Sequence, residues 1–327
     1  MEGIQINIVN EDALQLAGDI LLLKYAQKPH GLDRKVIQAL KQDGHVLDQL
    51  PTADEVLLFE QQSVAAARRI LFIGVEELQQ FRYREIREFS RESLSRLQAL
   101  EESFSTIILT LHGANYGLDE EEAFESLLAG LIDGVKEGEY PPDLEQIIIA
   151  ELNSKRAARL QEQLAVLLPS QVIPTRGQGL MRGMDHASKK RLRSVGYTSD
   201  HKRSIFVAMP FADAFDDIFH YGIQGAVKSA GFLCERADLE AFTGDIMAWV
   251  RERITKAEYV VAELTGANAN VYLEVGYAWG VGIPVILIIH QDDKVKFDVR
   301  GHRYLKYSSI RDLEEKLKTE LLRLSAS

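Results

Sequence analysis

The sequence is poor in cysteine and has no long hydrophobic run. A single cysteine, Cys234, among 327 residues excludes an intramolecular disulfide framework and is typical of a reducing compartment. No apolar stretch approaches the roughly 18 residues that a membrane-spanning helix needs. The first residues, MEGIQINIVNEDALQ, lack the basic region and apolar core of a signal peptide. We therefore expect a cytoplasmic protein without a membrane partner.

Basic charge is scarce except in one segment. The chain has 38 Lys and Arg against 49 Asp and Glu, so no nucleic-acid partner is expected. Residues 176–203 are the exception, with 8 basic and 2 acidic residues and no periodic apolar pattern. We interpret them as a solvated basic linker, with anion contact as the alternative. The histidines are scattered without the spacing of metal ligands, so we expect no metal site and no cofactor.

Strand-like and helix-like segments alternate on both sides of this linker. Short β-branched runs such as TIILTLHG and EYVVAEL are followed by amphipathic helical patterns. This alternation predicts mostly parallel sheets with both faces covered by helices. We predict two three-layer α/β domains, residues 1–175 and 204–327, joined by the linker; the chain length also favours two domains.

The stretch VVAELTGANANVYLEVGYA, residues 260–278, places polar side chains at the end of a predicted strand. Ligands of open parallel sheets bind beyond the carboxyl ends of the strands. Glu263, Asn268 and Asn270 are predicted to lie in the loop that follows this strand. Glu274 is predicted in the first or second turn of the next helix, among apolar neighbours.

Glu274 is the candidate catalytic group, because cleavage of a glycosidic bond develops positive charge on the sugar. A carboxylate shielded by apolar neighbours suits a nucleophile or an ion-pair stabiliser at the sugar C1′. Glu263 is a candidate second carboxylate, and Asn268 and Asn270 are candidates to bind ribose hydroxyls or a base edge. The alternative is structural: Glu274 compensates the helix dipole and the asparagines cap the helix.

The same stretch resembles the core of the nucleoside 2-deoxyribosyltransferase superfamily, which includes nucleotide N-glycosidases and is structurally akin to TIR domains. The family pattern is a strand ending in an acid, then Y/L-E-x-G-x-A, matched here by Glu263 and by LEVGYA at residues 273–278. The resemblance covers most of residues 204–307. It implies a flavodoxin-like domain with catalytic Glu274, and the candidate substrate-binding residues are Met209, Pro210, Phe211, Asp245, Asn268, Asn270 and Tyr277.

One position departs from the family pattern. N-glycosidase relatives carry an Asp on the helix before the VVAE strand, where this chain has Val250. The candidate substitutes are Asp245, Arg251 and Arg253. The departure leaves open a deoxynucleotide, a ribonucleotide or NAD as substrate. FVAMPFADAFDDIF resembles a bacterial branch with an FD-x-R element, here residues 297–300, and Phe211 and Phe215 are predicted either to stack on a base or to pack in the core.

A second constellation is TLHGANYGLDEEEA, residues 110–123. Small residues between a strand and a helix start let backbone N–H groups approach an anion, although a plain β–α turn has the same pattern. This stretch resembles the macro-domain phosphate loop, and GDILLLKYAQKPHGLDRKVIQAL resembles the other ligand segment of that family. The layout of residues 4–168 is close to the macro-like domain of leucyl aminopeptidases. The resemblance implies nucleotide-sensing residues Gly31, Leu32, Asp33, Gly113, Ala114, Asn115, Tyr116 and Gly117.

This part of the chain also departs from its family. Where macro domains have NAAN, this sequence has KYAQ, from Lys24 to Gln27. The Asn that orients ribose is absent, so we predict a binding module rather than an ADP-ribosyl hydrolase. His30 and His112 flank the two ligand segments. We predict polar surface positions for both, with phosphate contact as the alternative.

Together these resemblances suggest a nucleotide-sensing effector. The macro-like domain is predicted to bind an ADP-ribose-like signalling ligand, and the second domain to hydrolyse an N-glycosidic bond of a nucleotide or NAD. The fusion resembles bacterial antiphage effectors, which implies a role in phage defence and a homo-oligomer. Two alternatives stay open: a non-catalytic nucleotide-binding protein and a TIR-like signalling scaffold.

Overall fold

The chain forms two compact units. The computed structural model describes residues 3–45, 47, 49–60, 62–114, 116–175, 184–236, 246–296 and 301–326. The first unit holds Met1–Ala114 and Glu120–Asp200, and the second holds Asn115–Asp119 and His201–Ser327. Each unit contains one sheet that is mostly parallel, so the predicted α/β class is confirmed. None of the helices in these described ranges is both long and apolar enough to cross a membrane.

The first unit is built on a seven-stranded sheet in the order β3-β4-β2-β5-β6-β1-β7. Its strands are β1 Gly3–Val9, β2 Ile20–Tyr25, β3 Val56–Phe59, β4 Arg69–Gly74, β5 Thr106–Thr110, β6 Gln146–Ala150 and β7 Val172–Pro174. The inner pairs are parallel, and only the edge strands β3 and β7 run antiparallel to their neighbours. All six residues of β2 are buried, as expected for a strand covered on both faces.

The helices of the first unit connect these strands. They are α1 Gly31–Gln42, α2 Tyr83–Gln98, α3 Glu120–Glu137, α4 Ser154–Leu167 and α5 His186–Ser194. Helices α2 and α3 pack closely, and a Cβ added at Gly130 of α3 would overlap the backbone carbonyl of Arg87. Because β2 and β5 are parallel neighbours, the segments that follow them begin at the same edge of the sheet. This edge carries the first of the two candidate sites.

Part of the predicted linker is helical. Residues 176–183 lie outside the described residues, but α5 occupies the centre of the remainder. Arg191 of α5 pairs with Glu125 of α3 at 2.5 Å, and the Glu125 side chain is fully buried. Some of the basic charge therefore neutralises acids of α3, although the Arg191 side chain stays half-exposed. The helix was missed because its mostly polar sequence has little apolar periodicity.

The second unit has a five-stranded parallel sheet in the order β12-β11-β10-β8-β9. Its strands are β8 Ser204–Ala208, β9 Leu233–Glu235, β10 Tyr259–Glu263, β11 Val285–His290 and β12 Tyr304–Tyr307. Its α-helices are α6 Gly225–Ser229, α7 Ile246–Lys256, α8 Ala269–Gly280 and α9 Ile310–Ser325. Between β8 and β9 the chain forms a 3₁₀ turn at Asp213–Phe215, a π-helix at Ile218–Gln224 and then α6.

Helices cover both faces of this second sheet. On the face that we call the α8 face, Val260 and Ala262 of β10 pack in one apolar cluster with residues of α7 and α8. On the opposite α9 face, Val261 packs with Leu313 and Leu317 of α9. Since side chains alternate along a strand, each residue of β10 can be assigned to a face.

We predict that Gly130→Ala lowers the free energy of unfolding by about 1–3 kcal/mol, because the new methyl group meets rigid backbone of α2. Gly134→Ala in the same helix is the matched control. Its Cβ would come within 3.1 Å of a Leu94 methyl, which can move, and alanine favours the helix. Urea unfolding of both variants measures the difference. Equal midpoints for Gly130→Ala and wild type would contradict the close packing.

Candidate functional sites

Glu274 lies in the second turn of α8 and shares the buried side of that helix with Val271, Val275 and Ala278. Its spacing from these residues is three, one and four positions, which places all four on one helix face. One turn later, Tyr277 contacts α7, with its hydroxyl 3.4 Å from Thr255 Oγ1. Glu274 therefore lies on the side of α8 that faces α7.

The carboxyl group of Glu274 is buried without a partner. The residue is 8% exposed, and within the described ranges nothing hydrogen-bonds or ion-pairs with it. Burial alone raises the pKa of Glu274 to about 7. The other buried charges on this face, Arg253 and Glu235, pair with each other at 3.6 Å. Glu274 therefore exchanges its proton near neutral pH.

Glu263 does not lie beside Glu274. It is the last residue of β10 rather than a loop residue, and the alternation of β10 points it to the α9 face. Its Oε1 accepts a hydrogen bond from the Thr265 N–H at 2.8 Å, and Tyr307 lies next to it. Burial raises the pKa of Glu263, while the hydrogen bond from Thr265 opposes part of that rise. The two predicted carboxylates are thus on opposite faces of the sheet.

The loop between β10 and α8 is built from short polar contacts. Asn268 is the N-cap of α8, and its Oδ1 accepts from the Asn270 N–H at 2.9 Å. Thr265 Oγ1 accepts from the His290 N–H at 2.9 Å. Asn270 is exposed in the first turn of α8. Asn268 therefore has the capping contact that the structural alternative predicted.

The loop after β8 surrounds an arginine that the sequence did not single out. Met209 and Pro210 are buried, whereas Phe211 is 39% exposed. The guanidinium of Arg236 lies 3.9 Å from the Phe219 ring centroid and 5.6 Å from that of Phe211. Its Nη1 is 3.7 Å from Met209 Sδ. Arg236 follows the three-residue strand β9, and such a short strand gives little signal in a sequence.

The other residues that the sequence analysis singled out in this domain lie in different places. Asp245 and residues 297–300 lie outside the described part of the chain. Val250 is buried in the α8-face cluster, and Phe215 packs on the α9-face cluster, as its core alternative predicted. Arg251 is exposed, 5.6 Å from the Tyr277 ring.

The first unit has a buried polar cluster at the edge where β2 and β5 end. Lys24 Nζ is 3.7 Å from Asp33 Oδ2, and both side chains are less than a tenth exposed. Burial raises the pKa of Asp33 to about 6, although the charge of Lys24 opposes this rise. Gly31 and Leu32, which precede Asp33 at the start of α1, are half-buried. The Lys24–Asp33 pair occupies the region where the predicted ligand segments meet.

His112 is buried in this cluster, and the prediction of a surface position was wrong. It is 5% exposed and packs edge-on to Phe89 and Phe81, with ring centroids 4.9 and 6.1 Å away. Its Nε2 has no hydrogen-bond partner among the described residues. Burial, and next the charge of Lys24, hold the pKa of His112 well below its usual range. His30 is half-buried, and burial lowers its pKa to about 4.

The predicted phosphate loop is divided between the two units. Gly113 and Ala114 belong to the first unit, whereas Asn115–Asp119 belongs to the second. Gly113 is buried with φ of 88°, Ala114 and Tyr116 are half-buried, and Gly117 is buried. Asn115 lies outside the described residues. Gly113 and Ala114 follow β5 at the same sheet edge as Lys24 and Asp33.

A metal centre is not apparent in the described ranges. No group of three or more His, Cys, Asp or Glu side chains there could hold a metal ion.

Comparison with known proteins gives only distant structural likenesses. No protein-family model and no curated protein sequence matches the chain. The CMP N-glycosidase BcmB of Clostridium botulinum is similar at 16% identity and a TM-score of 0.31, over 36% of this chain and 99% of that chain. The Oceanobacillus iheyensis macrodomain with MES bound is similar at 16% identity and a TM-score of 0.38, over 50% of this chain and 92% of that chain.

A third likeness is the Trypanosoma brucei macrodomain in complex with ADP. It is 14% identical, with a TM-score of 0.38, over 50% of this chain and 69% of that chain. At these identities and TM-scores, the likenesses decide neither the family nor the activity of the protein.

We predict that Glu274→Gln stabilises the protein at alkaline pH. The folded-state pKa of about 7 lies above the ordinary value of 4.5, so wild type loses stability as pH rises through that interval. The variant avoids this loss and should gain up to roughly 3 kcal/mol at about pH 8.5, with little difference near pH 5. Urea unfolding at both pH values measures the gain.

The control for this comparison is Glu315→Gln on α9, whose side chain is 66% exposed. It should leave the difference between the two pH values unchanged. A Glu274→Gln variant with the same pH dependence as wild type would show that the carboxyl group is hydrated.

Proposed function

We propose that the protein is a nucleotide-sensing effector whose second unit hydrolyses the N-glycosidic bond of a nucleotide or of NAD. The observation that carries the proposal is Glu274: a carboxyl group buried on the α8 face without a partner, with its pKa raised to about 7. A group held in this way is a common feature of catalytic sites. The LEVGYA motif, which resembles the nucleoside 2-deoxyribosyltransferase pattern, supports the same residue.

The chemistry needs one carboxylate and one water molecule. As the bond between C1′ and the base nitrogen breaks, the base takes the electron pair and the sugar becomes electron-poor. Ionised Glu274 either bonds to C1′ or stabilises its positive charge, and its apolar surroundings strengthen that interaction. Water then supplies a hydroxyl group to C1′ and a proton to the base. Glu263 has no part in this step because it lies on the opposite face.

The first unit is the proposed sensor. Gly31, Asp33, Gly113 and Ala114 lie at one sheet edge, where backbone N–H groups can approach a phosphate. The proposed ligand is ADP-ribose or a related nucleotide. Asp33 is already paired with Lys24, which favours binding over hydrolysis in this unit. The role in phage defence and the homo-oligomer, both implied by resemblance, belong to this proposal.

A second candidate function is nucleotide binding without catalysis, either alone or as a TIR-like scaffold. The observation that favours it is the separation of Glu263 from Glu274. No other acid of the described residues is free to act beside Glu274 on the α8 face, since Glu235 is paired with Arg253. A protonated Glu274 would then donate a hydrogen bond to a ligand.

Base release decides between these functions. Incubation of the protein with NAD and with ribo- and deoxynucleoside monophosphates, with and without ADP-ribose, should release free base that chromatography detects. Glu274→Gln should reduce the rate by about a hundredfold or more, since the transition-state charge loses its counter-ion. Glu315→Gln on the exposed side of α9 should retain the wild-type rate. Undiminished release from Glu274→Gln would remove this residue from the mechanism, and binding without any release would support the second candidate.

Ligand binding by the first unit is tested separately by calorimetry with ADP-ribose. Gly113→Glu places a bulky anion at a buried position with φ of 88° and should abolish binding. The control is Gly138→Glu, which has a similar φ of 77° but open space around it. Wild-type affinity in Gly113→Glu would refute the assignment of this loop.

A further inference from the structure

A short segment from the middle of the chain is built into the second unit. Asn115–Asp119 belongs to this unit, although the rest of the unit begins at His201. We refer to its described residues, 116–119, as the inserted segment. It contacts α7 and β9, and its α7 contact is with Trp249, which belongs to the apolar cluster of the α8 face.

Gly117 of the inserted segment lies against Trp249 of α7. A Cβ added at Gly117 would overlap the indole ring, so no side chain fits there without a shift of the ring or of the segment. The φ of 82° at this position is also one that residues other than glycine rarely adopt. The absence of a side chain therefore lets the backbone of the inserted segment cover the indole.

Asp119 anchors the other end of the inserted segment. Its side chain is fully buried, and its Oδ2 accepts a hydrogen bond from the Cys234 N–H of β9 at 3.0 Å. Its Oδ1 is 3.1 Å from Lys228 Nζ. Because β9 is an edge strand with an unpaired side, this hydrogen bond satisfies a backbone group of the sheet.

Trp249, which lies against Gly117, also belongs to the α8 face, on which Glu274 lies. It is 3% exposed and belongs to the same apolar cluster as Val271 and Val275, the residues that flank Glu274 on the buried side of α8. Glu274 faces α7, as the contact between Tyr277 and Thr255 shows. Among the described residues, charged groups near the indole include Arg253, 5.1 Å from its ring centroid, and Glu235, the partner of Arg253.

We propose that Trp249 is a positioning residue for Glu274, and that the inserted segment holds the indole in place through Gly117. The proposal rests on the proposed function of Glu274 and adds a point of regulation to it. A change in the backbone of residues 116–119 would move Gly117, then the indole, and so alter the apolar cluster to which the neighbours of Glu274 belong. Regulation of the site would thus require no new contact with Glu274 itself.

The chain contains two tryptophans, which makes Trp249 a usable reporter. Trp279→Phe removes the other one and keeps an aromatic ring stacked on His302. In this background, the emission of Trp249 should change with pH with a midpoint near 7, as Glu274 ionises. Adding Glu274→Gln should abolish that transition, whereas adding Glu315→Gln should keep it. A transition that survives Glu274→Gln, or no transition at all, would overturn the proposal.

The role of Gly117 is tested in the same background. Gly117→Ala should move the midpoint of the Trp249 transition by roughly half a pH unit or more, because the displaced indole changes the burial of Glu274. The matched control is Gly231→Ala in the same unit, with a φ of 87° and nothing within 4 Å of its Cβ. Circular dichroism establishes that each variant is folded. An unchanged midpoint in folded Gly117→Ala would refute the contribution of the segment.

Failure of this proposal is distinguishable from failure of the proposed function. The emission titration needs no substrate, so it reports on Trp249 and Glu274 even if no base is released. If base release is found, Gly117→Ala should also shift its pH profile, whereas Gly231→Ala should not. Trp249→Phe, which keeps a large ring, should restore more of the rate than Trp249→Ala. Equal rates in those two variants would count against a positioning role.

Discussion

Burial of one carboxyl group without a partner is the feature on which the proposed chemistry of the second unit depends. Removing a carboxylate from water costs free energy unless a charge or hydrogen bond compensates, and Glu274 receives neither from the described residues. The cost appears as a raised pKa. A group in this state gains when positive charge develops nearby, because a positively charged sugar supplies the missing partner.

Some acids of the second unit have structural roles, whereas Glu274 has the proposed catalytic role. Glu263 accepts a backbone hydrogen bond that shapes the loop ahead of α8, and Asn268 caps that helix. Glu235 neutralises Arg253 within the core. Glu274 makes no hydrogen bond or ion pair with the described residues, yet its position is set by the helix that Asn268 caps. The helix that carries the free carboxyl group is therefore held in place by polar contacts that do not involve that group.

Buried acids of the first unit pair with cations, as Glu235 does with Arg253 in the second unit. Lys24 and Asp33 are both buried, whereas Arg191 is half-exposed and pairs with the fully buried Glu125. Such pairs seldom add much stability, because desolvation offsets their attraction. They do define geometry, and one of them lies at the sheet edge where the predicted ligand segments meet.

The sequence by itself determined the alternation of strands and helices, and it placed Glu274 on the apolar side of α8, because both depend on periodicities of a few residues. It could not assign Glu263 to the opposite face, since that depends on which helix covers which side of β10. The sequence likewise could not predict the burial of His112 or the contact of Gly117 with Trp249. Both features arise from contacts between residues that are distant along the chain, and only tertiary packing decides which of these residues meet.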